Sequence, residues 1–449
     1  MMRPTLYAAV LAGFFGLTLA GSAAAQQQPW LADRGYGQGI GYDVGSFVLH
    51  PSLAGEFGYD SNMYLRAPNE DVVDVWRLRI TPSLSMATST PQGGPEKYRF
   101  SAGVAASYNE YFAAGDTRED VSSFRNVGAS ADADLTVNPE GQFGGRFYGN
   151  LVRTIQPSNF SDTTAAYNRI HLRGGAELIW KPGGGLFDWR LGYEYGTTLF
   201  EEDRFETLNS SSHGIRTRGR WRFLPRTALL FDAATSFTRY EDPGTNAYLL
   251  DSNPIRARVG LNGLMTDRLA LLAMVGWGAS FHEAGAVPIQ NFDGPIGQAQ
   301  ITYFPTPAPG LSDSERDVSL TLSRVALGYV RDFESSYFGS YYGRDRGYLR
   351  ASAFFAQRLL VAGEGGISRV HFPTLYFANG GERTGSFNET RYDASLHTEY
   401  RIIPTVGVNA TVSYDKNDSI SMPTSAGTTD LDDLSYDRVQ AFVGVRWFM

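Results

Sequence analysis

Residues 392–401 read Tyr-Asp-Ala-Ser-Leu-His-Thr-Glu-Tyr-Arg. One parity holds Tyr392, Ala394, Leu396, Thr398 and Tyr400, while the other holds Asp393, Ser395, His397, Glu399 and Arg401. A period of two belongs to a β-strand, whose successive side chains point to opposite faces. An oily face backed by an ionic one must meet something other than a second layer of the same chain, and lipid is the simplest such partner. The alternation recurs from about residue 47 to residue 449, which predicts an all-β fold: a transmembrane antiparallel up-and-down β-barrel with a wet lumen.

Counting alternating segments gives about eighteen strands, an even number that keeps both termini on the periplasmic side. The predicted strands include 47–60, 75–88, 210–224, 252–265, 315–332, 346–357 and 434–449. Tight connections rich in Pro, Gly and Asp, such as 139–141, 182–184 and 266–267, alternate with longer polar ones, such as 61–74, 201–209, 373–386 and 417–433. Short periplasmic turns and long extracellular loops are the expected arrangement. Two turns on the short side, 89–96 and 305–314, are longer than this pattern explains. A soluble sandwich or propeller fits poorly, because soluble strands run to about five or six residues and pack on a second apolar layer.

No apolar run beyond the first twenty residues is long enough to span as a helix. The first 25 residues have a signal peptide's layout: Arg3, an apolar stretch at 6–19 and Ala23-Ala24-Ala25. Removing them leaves a Gly/Gln/Tyr-rich arm at 26–45, read as periplasmic or as a lumen insert, and a barrel at 46–449. A secretory signal followed by lipid-facing strands points to the cell outer membrane. Cysteine is absent, so disulfides, thiolate metal sites and thiol nucleophiles are excluded. The net charge of -8 argues against nucleic acid as a partner.

Basic residues are arginine except for Lys97, Lys181 and Lys416. With the apolar parity of each strand assigned to lipid, Ile215, Thr217, Gly219, Trp221 and Phe223 face out and Arg216, Arg218, Arg220 and Arg222 form an inward ladder. The same rule turns inward Arg77, Arg79, Arg99, Arg146, Arg169, Arg173, Arg190, Arg256, Arg258, Arg350, Arg391 and Arg401. The inward acids on this reading are Glu56, Asp132, Asp134, Glu177, Glu194, Asp232, Asp393 and Glu399. The set describes an electropositive conduit for an anionic polymer or solute, since guanidinium groups bind carboxylates and phosphates bidentately. A purely structural role is the competing reading, in which cross-strand ion pairs stiffen the wall. It is disfavoured here because eight acids do not cover the Arg216–Arg222 excess.

Acidic clusters fall in the outer loops, at 70–71, 119–120, 201–203 and 430–433. Tyr111, Tyr148, Tyr337, Tyr341 and Tyr342 near strand ends read as interfacial girdle residues before sugar platforms. Asp393, Ser395 and His397 are the one Ser/His/Asp grouping, and they occupy successive inward positions on one strand rather than meeting in a cleft. His213, His282 and His371 lie near outer strand ends, with spacing that is a weak sign of metal. The chain is accordingly expected to be no enzyme and to carry no cofactor or metal.

In the last strand Ala441, Val443, Val445, Trp447 and Met449 share one parity, and Arg438, Gln440, Gly444 and Arg446 the other. Val443, Val445, Trp447, Phe448 and Met449 resemble the terminal signal by which the barrel assembly machinery recognises its clients, with Met449 in place of the usual final aromatic. The segment from Pro51 to Tyr64 contains Tyr59-Asp60-Ser61-Asn62 and is followed by Ile80-Thr81-Pro82-Ser83-Leu84. It resembles the opening of the β-barrel porin type 2 family, in which a strand runs into a Tyr-Asp-x-Asn turn and returns through a Pro-containing strand. That resemblance implies an outer-membrane pore for secreted exopolysaccharide working beside a periplasmic polysaccharide export protein. The alternatives are a general or anion-selective diffusion porin for small solutes and, in another class, an outer-membrane enzyme or adhesin.

Overall fold

A computed structural model describes residues 39–449 apart from 70, 90–95, 115–120, 122–124, 155–167, 202, 242–249, 284–286, 306–322, 337–339, 357, 377–379 and 424–430. The expected signal peptide, most of the arm, Tyr337 and the acidic residues Glu70, Glu119, Asp120, Glu202 and Asp430 lie outside the described residues.

The chain is an 18-strand antiparallel β-barrel. In chain order the strands are β1 (Phe47–Asp60), β2 (Val75–Thr88), β3 (Tyr98–Ala113), β4 (Asn126–Val137), β5 (Phe143–Thr154), β6 (Arg169–Trp180), β7 (Phe187–Phe200), β8 (Ser210–Leu224) and β9 (Thr227–Tyr240). They continue with β10 (Ile255–Thr266), β11 (Leu269–Ala279), β12 (Asp293–Tyr303), β13 (Arg324–Ser335), β14 (Tyr341–Phe355), β15 (Leu359–Phe372), β16 (Phe387–Ile403), β17 (Val406–Asp418) and β18 (Tyr436–Phe448). Each pairs with its successor, and β18 closes the barrel on β1, with Ser52 opposite Phe448 and Asp60 opposite Gln440.

Closure leaves no free sheet edge, so every strand can meet lipid with its backbone satisfied. The outward phase is apolar: Val104, Leu178, Ile215, Val275, Leu327, Ile367 and Val443 all lie exposed. Exposed aromatics ring both ends of this band, with Tyr98, Phe143, Trp221, Tyr303 and Trp447 towards the short turns and Trp76, Phe112, Phe237, Trp277 and Tyr329 towards the long loops. Girdles at both interfaces are what such a barrel carries in a bilayer. Small apolar clusters take the place of one central core, most of them under the long loops and one, Ala228, Leu230 and Met274, towards the short turns. Under the loops, one gathers Met63, Val73, Val75, Tyr111 and Val121, and another Tyr342, Val370, Phe372, Leu375, Phe387 and Leu434.

Several boundaries differ from the sequence reading by a few residues, among them three strand starts. β10 starts at Ile255 instead of 252, because Pro254 has no N–H for the ladder and Ser252 makes only isolated bridges to Thr238 and His282. β14 starts five residues early, at Tyr341, where the polar outward residue Asp345 hides the alternation. The start of the predicted 315–332 strand is outside the described residues, and β13 runs from Arg324.

The sheet also reaches back into the predicted arm. Tyr42–Val44 forms a short strand hairpinned onto β1, with Val44 opposite Phe47. Gly45 makes the reversal at φ +64°, a conformation that costs glycine little and other residues more. At the other terminus Val443, Val445 and Trp447 face out, whereas Phe448 turns inward beneath the guanidinium groups of Arg446 and Arg401. The Met449 N–H donates to the Pro51 carbonyl at 3.1 Å, and its carbonyl oxygen lies 3.0 Å from His50 Nδ1.

Candidate functional site: the charged inner wall

Ion pairs that skip strands fix which face is concave. Arg256 Nε on β10 donates to Asp332 Oδ1 on β13 at 3.0 Å, although two strands lie between them. Three interstrand spacings amount to roughly 14 Å, a gap that side chains close only where the sheet curves towards itself. Arg218 on β8 reaches Glu177 on β6 at 2.7 Å, and Arg346 on β14 reaches Asp393 on β16 at 2.5 Å, in the same way. The ionic phase is therefore the inner one.

The four arginines of β8 divide into two pairs. Arg216 binds Asp232 at 2.5 Å, and Asp232 also receives Arg258 at 3.4 Å. Arg218 binds Glu177, which Arg146 and Arg190 also approach, at 3.3 and 3.9 Å. Arg220 and Arg222 have no carboxylate within ion-pairing distance among the described residues. Asp188 stands opposite Arg220 in the β7–β8 register but is turned to Arg190 at 3.2 Å. Pairing thus accounts for Arg216 and Arg218 in the extracellular half of this strand and leaves Arg220 and Arg222 without a carboxylate among the described residues. Glu177 neutralises Arg218 from two strands away, a reach that counting adjacent-strand partners does not include.

Most of the remaining sequence-picked arginines are also engaged. Arg79 pairs with Glu56, Arg99 with Glu96, Arg146 with Asp134, Arg173 with Glu194, Arg350 with Glu364, Arg391 with Glu389 and Arg401 with Glu399. Arg77 is buried and stacks over Phe442, its guanidinium carbon 4.6 Å from the ring centroid. Arg256 and Arg258 meet at Asp332. Arg169 opens β6 at the extracellular end.

The sequence reading missed Arg346, Arg438 and Arg446, together with the carboxylates Asp60, Asp188, Asp332, Glu364 and Glu389. The signal for them was parity carried to the strand ends. Asp60, Asp188 and Asp332 sit near the ends of their strands, Glu364 sits in the glycine-diluted run 361–368, and Arg438 and Arg446 stand on the inner parity of the last strand in the sequence reading without being counted among the lumen arginines. Those two are the most enclosed cations of the wall. Arg438 grips Asp60, with Nε 2.8 Å from Oδ1, and Arg446 grips Glu399 at 2.6 Å.

The residues that could suggest chemistry do not converge. His397 Nδ1 lies 2.8 Å from the Thr411 hydroxyl while Asp393 is held by Arg346, so the Asp393/Ser395/His397 grouping is no relay. His213 contacts the Tyr193 hydroxyl, His282 contacts Asn291 and His371 contacts Asn388, so the three histidines have separate partners. Burial beside the outer loop pushes the pKa of His282 down, keeping that ring neutral. Tyr148 donates its hydroxyl to Glu194, and Tyr111 and Tyr342 are buried in loop-supporting clusters.

No family model and no curated protein matches the chain. Among solved structures it is similar to the outer membrane protein opdK from Pseudomonas aeruginosa, at 11% identity and TM-score 0.44 over 89% of this chain and 98% of that one. It is also similar to the FrpB iron transporter from Neisseria meningitidis in its F5-1 variant, at 8% identity and TM-score 0.48 over 91% and 82%. A BenF-like porin from Pseudomonas fluorescens Pf-5 gives 9% identity and TM-score 0.43 over 90% and 100%. At such identity and superposition these likenesses carry no inference about what this chain does.

Proposed function

We propose that this barrel is an outer-membrane porin through which small anions diffuse. The observation that carries the reading is the pair Arg220 and Arg222: two inward guanidinium groups at the periplasmic end of β8 with no carboxylate partner among the described residues. An unneutralised cation on a narrow low-dielectric wall concentrates anions beside it and repels cations. The Lys181 ammonium, which donates to the Pro139 carbonyl, stands near the same end and adds to the field. Diffusion needs no energy source and no catalytic group. The arginines set selectivity, and the paired remainder of the wall holds them in place.

Polymer export, the function implied by the family resemblance, is the weaker reading. A secreted polysaccharide would be served by an inward run of aromatic platforms, and the inward tyrosines Tyr148 and Tyr348 instead spend their hydroxyls on Glu194 and Gln300. The test is reversal potential in planar bilayers under a salt gradient. The wild-type channel is expected to favour anions, and Arg220→Gln with Arg222→Gln to move it towards neutrality. A cation-selective wild type, or a double variant identical to wild type, refutes the proposal.

A further inference from the structure

The extracellular end of the barrel carries a second charged feature, on its outer face. Along the β13–β16 register Arg331 stands opposite Asp345, Asp345 opposite Arg369 and Arg369 opposite Thr390, all in the outward phase. One residue pair further out lie His371 and Asn388. All of these but Thr390, with Phe292, Tyr341 and the inward-phase pair Asp332 and Arg344, line a cleft of about 240 Å³.

Other outward cations at this rim have carboxylates of their own. Arg125 pairs with Glu110 at 2.7 Å, Arg153 with Glu201 at 2.5 Å and Lys416 with Asp418 at 2.9 Å. Arg153 holds the Glu201 carboxyl below its usual range, chiefly through hydrogen bonding. Arg369 is exposed and has no such partner among the described residues. Its register neighbour Asp345 is already taken by Arg331 at 3.4 Å and by the Tyr329 hydroxyl. Two guanidinium groups thus flank one carboxylate, and only Arg331 is paired with it.

What lies beneath the cleft decides its occupant. In the next outward row towards the membrane centre Tyr329, Gly347 and Ile367 are in register, with Leu327 and Leu349 below them, all exposed. At Gly347 nothing lies within 4 Å of where a Cβ would stand, so the apolar surface is dented directly under the charged row. A small free anion has no use for an apolar trough, whereas an amphiphile whose charged head sits above its chains uses both parts. We propose that this cleft binds the phosphate headgroup of an outer-leaflet lipid, with Arg331 and Arg369 clamping the phosphate oxygens and the Gly347 trough seating an acyl chain. The assignment rests on the barrel spanning a membrane and is independent of what the lumen conducts.

The test is native mass spectrometry of the folded barrel in mild detergent, titrated with diphosphorylated lipid A. Inorganic phosphate alone forms a parallel arm, and Arg153→Gln serves as a rim control. Wild type is expected to retain one lipid, Arg369→Gln to bind about tenfold more weakly, and Arg153→Gln to match wild type. Arg369 is exposed and makes no ion pair among the described residues, so its loss should not prevent folding, and a heat-shifted gel band verifies that the variant is folded. Unchanged retention in folded Arg369→Gln overturns the proposal. So does an equal loss in Arg153→Gln, which would indicate undirected rim charge, and so does inorganic phosphate binding as tightly as the lipid. Conductance and selectivity of Arg369→Gln should equal wild type, so a failure here leaves the lumen reading untouched, and the reverse also holds.

Discussion

The two sides of the barrel use the same residue type on the same face for different ends. On the closing seam, β16 through β18 onto β1, Arg438 and Asp60 have side chains 4% and 0% exposed, and Arg446 and Glu399 are each 1% exposed. On the β6–β8 wall, Arg216 is 23% exposed although paired, and Arg220 and Arg222 have no carboxylate partner among the described residues. Parity alone cannot separate these cases. What separates them is whether a carboxylate stands within reach on the concave side and whether water does. A guanidinium that is enclosed and paired fixes strand order, while one that is wet and unpaired remains available to a passing ion.

The largest effect should come from cutting the seam. Asp60 accepts Arg438 through both carboxylate oxygens and Gln440 at 2.7 Å, and it sits where the first strand meets the last. Removing one member of a buried pair strands the other charge and costs about 3–5 kcal/mol. Asp60→Asn or Arg438→Gln should therefore lower the temperature of gel heat-modification and the urea midpoint followed by tryptophan emission. Arg220→Gln should move both much less, because no carboxylate partner among the described residues is left stranded by its loss. Equal losses in the two variants would erase the distinction between the walls.

A sharper form exchanges both members of a pair at once. Much of the single-mutant loss is the penalty on the abandoned partner, so replacing Arg446 and Glu399 together by Met and Leu should recover most of the stability lost in Glu399→Gln. Recovery would show that the seam needs neutrality and packing more than charge. Failure to recover would show that the Glu399 contacts to Arg446 and Arg401 are themselves required for closure.

Period-two patterning carried far along this chain, for a physical reason. A one-residue slip would turn a whole strand inside out, so each strand must announce its parity, and β1, β2 and β8 are legible in the sequence to the residue. Legibility fell where parity is diluted or crossed. The β15 segment Val361-Ala362-Gly363-Glu364-Gly365-Gly366 says little about faces, and outward Asp345 breaks the alternation at the start of β14. The charge partners were harder still. Glu177 with Arg218 and Asp332 with Arg256 meet across intervening strands, which depends on barrel curvature and side-chain reach, and strand parity contains neither.

The next effect in size concerns selectivity along one strand. A monovalent anion passing about 4 Å from a free guanidinium in water gains about 1 kcal/mol, roughly fivefold in local concentration. Arg222→Gln should lower the anion-to-cation permeability ratio on that scale. Arg391→Gln, whose native side chain is buried against Glu389 at 2.6 Å, should act mainly on stability. A selectivity loss in folded Arg391→Gln as large as that in Arg222→Gln would mean that pairing does not distinguish the two walls.

The smallest expected effect is salt dependence, and it probes the same contrast without mutation. Raising ionic strength from about 0.1 to 1 M shortens the screening length from about 10 to 3 Å. Ions that feel Arg220 and Arg222 through water should lose much of that attraction, so anion preference should fall towards unity across the range. The Arg438–Asp60 and Arg446–Glu399 contacts lie in direct hydrogen-bonding contact and away from solvent, where mobile ions do not enter. Heat-modification temperature should therefore stay nearly constant over the same salt series. A protein whose stability collapses with salt while its selectivity persists would have the roles of its two walls reversed.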